Sequence, residues 1–100
     1  MNVDFNRLAE KEFLEAVAYY EKRTPGLGRR FRNAVEQTID ALKQFPESGR
    51  PGRKEVRVRI VKKRFPYNIV YSVRSDSVYI VSVMHQKRRP SHVYSRLSDA

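Results

Sequence analysis

The sequence predicts an α+β fold: an antiparallel sheet with an N-terminal two-helix hairpin packed on one face, in the order β-α-α-β-β-β. Three observations carry this. Apolar residues recur at helical spacing through the first half of the chain. They recur at a period of two through the second. The charge divides at the same place: residues 1–49 hold eight Lys/Arg and eight Asp/Glu, so the whole net charge of +10 lies in residues 50–100. With 100 residues, 40% of them hydrophobic and 32% charged, the chain reads as one globular domain spanning 1–100.

Residues 2–5 (Asn-Val-Asp-Phe) read as a short opening strand, and Asn6 as the N-cap of a first helix. Ala9, Phe13, Ala16, Val17 and Tyr20 then form one helical stripe, with acids early and Lys22 and Arg23 late, as the helix dipole favours. Thr24-Pro25-Gly26-Leu27-Gly28 breaks the helix, and Thr-Pro reads as N-cap and first residue of the next. Leu27, Phe31, Val35, Thr38, Ile39, Leu42 and Phe45 are placed on one face of the second helix. Two amphipathic helices joined by a short link predict an antiparallel hairpin that needs a further apolar surface.

The segment from Pro46 to Gly52 is a turn-rich connection. Val56, Val58 and Ile60 then alternate with Arg57 and Arg59, a strand with one apolar and one cationic face. Phe65, Tyr67, Ile69, Tyr71 and Val73 alternate in a second strand, and Arg74–Ser77 is a polar turn. Residues 78–84 are apolar on both faces, as a central strand requires. The basic tail from His85 to Ala100 has room for one helical turn near 91–97. With the helices on one face, the other face of the sheet and its cations are expected to be free for function.

Seven of the twelve residues from 53 to 64 are Arg53, Lys54, Arg57, Arg59, Lys62, Lys63 and Arg64. A solubilising strand edge has such cations too. Arginine outnumbers lysine here, however, and guanidinium suits bidentate recognition of phosphate or carboxylate. His85 closes the last strand just before Lys87, Arg88 and Arg89. It reads either as a hydrogen-bonded structural residue or as a general acid or base beside groups that stabilise an oxyanion. Tyr94 and Arg96 read either as docking residues of the tail or as a stacking phenol beside a phosphate-binding guanidinium.

There are no cysteines, and His85 and His92 are the only histidines, with no carboxylate pattern converging on them. No metal or cofactor is therefore expected. The start Met1-Asn2-Val3-Asp4 lacks the pattern of a signal peptide, and no apolar run has the length of a membrane span. The expected location is cytoplasmic, with no membrane partner.

The order of elements and six local sequences together resemble the RelE/ParE family of toxins from bacterial type II toxin–antitoxin systems. They are Ala9-Glu10 with Glu15–Glu21, Pro25–Phe31, Phe45–Pro51, Val56-Arg57, Phe65–Tyr71, and Val83–Pro90. The resemblance implies a small basic growth-inhibiting toxin held inactive by an acidic antitoxin that wraps around the sheet and hairpin. ParE-like members inhibit DNA gyrase and are not known as nucleases; RelE-like members cut messenger RNA on the ribosome without a metal. Pro25–Gly28, Phe65-Pro66-Tyr67 and His85, Arg88 and Pro90 look more like the ParE-like group. On a RelE-like reading, the resemblance implies catalytic roles for His85, Arg64, Arg88 and Tyr94. Target contacts are expected from Arg57, Arg59, Lys62, Lys63, Arg89 and Arg96. A basic nucleic-acid-binding module without catalysis is the third reading, since phosphate attraction needs only Lys and Arg.

Overall fold

A computed structural model describes residues 1–61 and 65–99, with the side chains of residues 90–92 and 99 outside the description. Lys62, Lys63 and Arg64 thus lie outside the described residues. The described chain forms β1 (Asn2–Phe5), α1 (Arg7–Arg23), α2 (Leu27–Gln44), β2 (Arg50–Pro51), β3 (Val56–Ile60), β4 (Tyr67–Val73) and β5 (Ser77–His85). A 3-10 turn (Arg53–Glu55) precedes β3, and a C-terminal 3-10 segment covers Pro90–Asp99.

The five strands form one sheet in the order β1-β5-β4-β3-β2. The expected antiparallel pairing holds from β2 to β5, while β1 is added parallel to β5, from Asn2 opposite Ser77 to Phe5 opposite Ile80. That pairing makes β5 an interior strand over its first half, and it is apolar on both faces because the helices cover one face and the C-terminal segment the other.

Asn6 caps α1 as its residue type predicts: the side-chain Oδ1 accepts from the Leu8 N–H at 2.8 Å. The helix break differs from expectation. Thr24 closes α1, its N–H donating to the Tyr20 carbonyl, and α2 begins at Leu27 after Gly26 at φ +88°. The first turn of α2 is capped from outside: the Glu21 carboxylate accepts from the N–H groups of Gly26 (2.9 Å) and Gly28 (3.0 Å). Glycine is required at 28 because an added Cβ would lie 2.6 Å from the Val17 carbonyl oxygen.

Both stripes bury against the sheet as predicted, with Ala9, Phe13, Ala16, Phe31, Val35, Ile39 and Leu42 against Val61, Phe65, Ile69, Tyr71, Val78, Ile80 and Val83. Phe45 departs from the stripe. It is the residue after α2, and it is 65% exposed. The buried Tyr71 hydroxyl ties down the segment that follows, donating to the Pro46 carbonyl (2.7 Å) and accepting from the Gly49 N–H (2.9 Å).

The opposite face is not left open. Val56, Val58, Val70, Tyr79, Val81 and Met84 form a second core there, covered by Val93, Tyr94 and Leu97 of the C-terminal segment. An apolar face of five strands needs a cover, and the tail supplies it.

Candidate functional site

β5 ends at His85, beside a hollow of about 240 Å³ between the sheet and α1. Its wall includes Glu15 and Tyr19 from α1, Tyr67 from β4, and His85 and Arg88. Strand register places Tyr67 opposite His85, and their rings meet edge-on at 5.5 Å. The turn after the strand is braced: the Gln86 N–H donates to the Pro66 carbonyl, and the Arg88 N–H to the His85 carbonyl. The Lys87 N–H donates to His85 Nδ1 at 3.1 Å. In the neutral ring this leaves the proton on Nε2.

The phenols here are kept neutral. Burial pushes the Tyr67 pKa up, the Tyr19 phenol adds to this, and the Arg88 guanidinium pulls part of it back. Tyr20, in edge-on contact with Tyr67, is raised by burial and then by Tyr67 and Tyr19, with Arg23 opposing. The hollow sets one guanidinium, Arg88, and the His85 imidazole against the carboxylates of Glu12 and Glu15, with the Tyr67 and Tyr19 phenols in the same wall.

Tyr94 is not part of this hollow. It packs on the other face of the sheet, with the charged groups of Arg53 and Lys54 each 5.9 Å from its ring centre. Lys54 and Glu55 hold left-handed backbone there, at φ 53° and 63°, a conformation that side chains other than glycine adopt at a cost.

Three of the cations expected at a target are tied into the protein. Arg57 donates to the carbonyls of Gly49 (2.8 Å) and Glu47 (3.1 Å), and Arg59 to the Ser48 hydroxyl (2.6 Å). Both therefore fold over the 46–49 connection on the helix side, because their register partners Tyr71 and Ile69 face that way. Arg96 is 11% exposed and forms a two-pronged ion pair with Glu12. Arg88 and Arg89 are exposed in the turn after His85. Arg64, Lys62 and Lys63 lie outside the described residues.

Glu12, Tyr67 and Tyr19 are the members that residue-type reasoning passed over. Glu12 was detectable, since it lies three residues after Ala9 and four before Ala16, on the edge of the buried stripe. A carboxylate there has to meet a buried partner. Among the described residues, no three His, Asp or Glu side chains come together as metal ligands, and no helix is long and apolar enough to cross a membrane.

The fold and this arrangement meet a known class of proteins. The profile of the family described as the ParE toxin of the type II toxin–antitoxin system parDE matches residues 3–90. The Y4kP protein of Sinorhizobium fredii (strain NBRC 101917 / NGR234) is 39% identical over 71 residues, which are 71% of this chain and 73% of that protein. A solved structure titled as the chromosomal ParDE TA system from P. aeruginosa superposes with a TM-score of 0.61, at 16% identity, over 85% of this chain and 95% of that one. The first two matches establish the family and the third the fold. This chain belongs to the ParE toxin family of type II toxin–antitoxin systems.

Proposed function

We propose that this ParE-family toxin acts in the cytoplasm by inhibiting DNA gyrase, as a binding inhibitor rather than an enzyme. The observation that carries this reading is the separation of His85 and Tyr94 on opposite faces of the sheet. Cleavage of RNA by its own 2′-hydroxyl needs a base and an acid reaching one phosphate together. Among the described residues, the imidazole and the tail phenol do not face a common space. ParE-like relatives are gyrase inhibitors by the resemblance already noted, and such inhibition asks only for a fitted surface. The exposed cations Arg50, Arg53, Lys54, Lys87 and Arg88 supply a field suited to a DNA-bound enzyme.

A gyrase supercoiling assay tests the reading. Purified toxin should stop supercoiling, and undiminished supercoiling at excess toxin would overturn it. Translating ribosomes are the counter-test: discrete cuts in the A-site codon, lost in His85→Ala, would instead establish the RNA-cleaving reading.

The same exposed cations are where an acidic antitoxin segment would lay its carboxylates. The toxin–antitoxin complex should weaken as salt is raised, and an affinity indifferent to ionic strength would exclude a charge-led interface.

A further inference from the structure

At the end of β5 opposite His85 lies a larger hollow of about 830 Å³, within the range of small-molecule sites. Arg74 and Ser75 of the β4–β5 turn line one side, and Arg7, the first residue of α1, lines another. The positive end of the α1 dipole adds to the field of both arginines.

Arg74 is positioned but not saturated. Its main-chain N–H closes the turn on the Ser77 carbonyl at 2.8 Å. Its guanidinium carbon sits 4.8 Å from the Tyr79 ring centre, and Nη2 lies 3.4 Å from the Leu97 carbonyl, at the outer limit of a hydrogen bond. Its Nε is buried with no hydrogen-bond partner. A guanidinium offers five donors in a rigid fork and is costly to leave unmatched. Among the described residues, neither Arg7 nor Arg74 is ion-paired. Among the described residues Asp4 is the carboxylate in the wall, so the described lining has a net positive charge. The rest of the wall includes Phe5, whose ring packs on Phe13 in the helix-side core, and Leu8, which is 40% exposed although apolar.

We propose that this hollow binds a nucleoside phosphate, with the phosphate between Arg7 and Arg74 and the base against the exposed Leu8 side chain. Two cations match the phosphate, an apolar side chain matches the flat ring, and the volume admits both. The ligand is either a free nucleotide or the phosphorylated end of a nucleic acid. This site stands apart from the gyrase reading and does not depend on it.

Titration calorimetry on the purified full chain tests it, using AMP, adenosine, inorganic phosphate, and a short single-stranded oligonucleotide with and without a 5′-phosphate. AMP should bind more tightly than adenosine or phosphate, which each supply half of the contacts. Arg7→Gln should weaken AMP by about tenfold, as loss of one charge-assisted contact does. Asp4→Asn should tighten it, and Lys43→Gln on α2 should leave it unchanged. Arg74→Gln should abolish it. Because that change also touches the turn, Arg74→Lys serves beside it, and partial retention of binding is expected. An oligonucleotide that binds only when phosphorylated, in the absence of AMP binding, would assign the site to a nucleic-acid end. If neither ligand binds at millimolar concentration, or if binding survives intact in the Arg7→Gln/Arg74→Gln double variant, the proposal is overturned.

Discussion

Glu12 and Arg96 are 84 residues apart in sequence and joined by two hydrogen bonds of 2.9 and 3.1 Å. The pair does more than attach a tail to a helix. β1 ends opposite Ile80, so among the described residues no strand lies beside the outer edge of β5 beyond that point. Glu12 Oε1 accepts from the Val83 N–H (3.2 Å) and the Ser82 hydroxyl (2.8 Å), and Arg96 Nη1 donates to the Val81 carbonyl (3.0 Å). The ion pair thus takes over where β1 stops and satisfies the exposed rung of the sheet.

Breaking one side of that pair should cost about 3 kcal/mol, because the remaining charge is left nearly buried. Arg96→Met and Glu12→Gln are therefore both expected to lower the urea midpoint. Their double variant should be less unstable than the sum, since the orphaned charge is gone. Tail release should also bare Val56, Val58, Val81 and Met84 to a hydrophobic dye. Strictly additive losses with no gain in dye binding would show that the pair does not hold the tail.

Tyr71→Phe removes a single oxygen and leaves both the Gly49 N–H and the Pro46 carbonyl without that partner. A loss of about 1–3 kcal/mol is expected from stranding buried backbone groups. Hydrogen exchange should locate it in residues 46–49. A variant as stable as the parent, with unchanged exchange at Gly49, would contradict this.

Gly28→Ala and Gly26→Ala separate two roles of glycine. At 28 the new Cβ meets the Val17 carbonyl oxygen at 2.6 Å and the Glu21 Cβ at 2.9 Å, so the helices must part. A loss of about 1–3 kcal/mol is expected there from overpacking. At 26 there is open space but φ is +88°, so the cost is backbone strain of about 1 kcal/mol. Thermal unfolding of the pair should rank Gly28→Ala as the weaker protein, and the reverse order would refute the close helix contact.

Burial raises the Tyr67 and Tyr20 pKa values. Below the ordinary tyrosine value of about 10, folded and unfolded chains are both protonated and nothing is lost. As pH rises past that value the unfolded chain gives up its protons first, so stability falls until the folded phenols ionise too. Urea midpoints measured at about pH 9 and about pH 11 should drop between the two, and Tyr67→Phe should shrink the drop. Arg88→Gln should raise the Tyr67 pKa further in an absorbance titration, because Arg88 favours the phenolate. An unchanged or lower pKa would place Arg88 away from the ring.

The helices, the hairpin, β3 and β4 could be read from periodicity, and β5 from a run of residues apolar on both faces. Ala9, Phe13 and Ala16, or Val56 and Val58, announce the buried face directly. The parallel placement of β1 could not be read, since residues 2–5 have too few side chains to specify a partner strand. Nor could the capping of α2 by Glu21, which depends on the φ of Gly26 bringing two N–H groups to one carboxylate. At the candidate site the sequence pointed to His85 and Arg88, whose charge context is local. It did not reveal that Tyr67 and Tyr19 complete the wall, because cross-strand register and helix rotation decide that. For Arg57, Arg59 and Arg96 the charge could be read but not what holds it in the fold: carbonyls and a hydroxyl of the 46–49 connection for the first two, and the Glu12 carboxylate for the third.

The link between Glu12 and Arg96 also sets a timetable. A ribosome making this chain delivers Glu12 84 residues before Arg96, while β1 waits for β5 to be translated. The hairpin of helices has its contacts within easy reach and can form during synthesis; the closed sheet cannot. Until the segment that carries Val93, Tyr94 and Arg96 emerges, the apolar underside of the sheet stays bare. Nascent chains stalled short of Arg96 should stay open to protease along β5, and chains extended until Arg96 clears the ribosome should not.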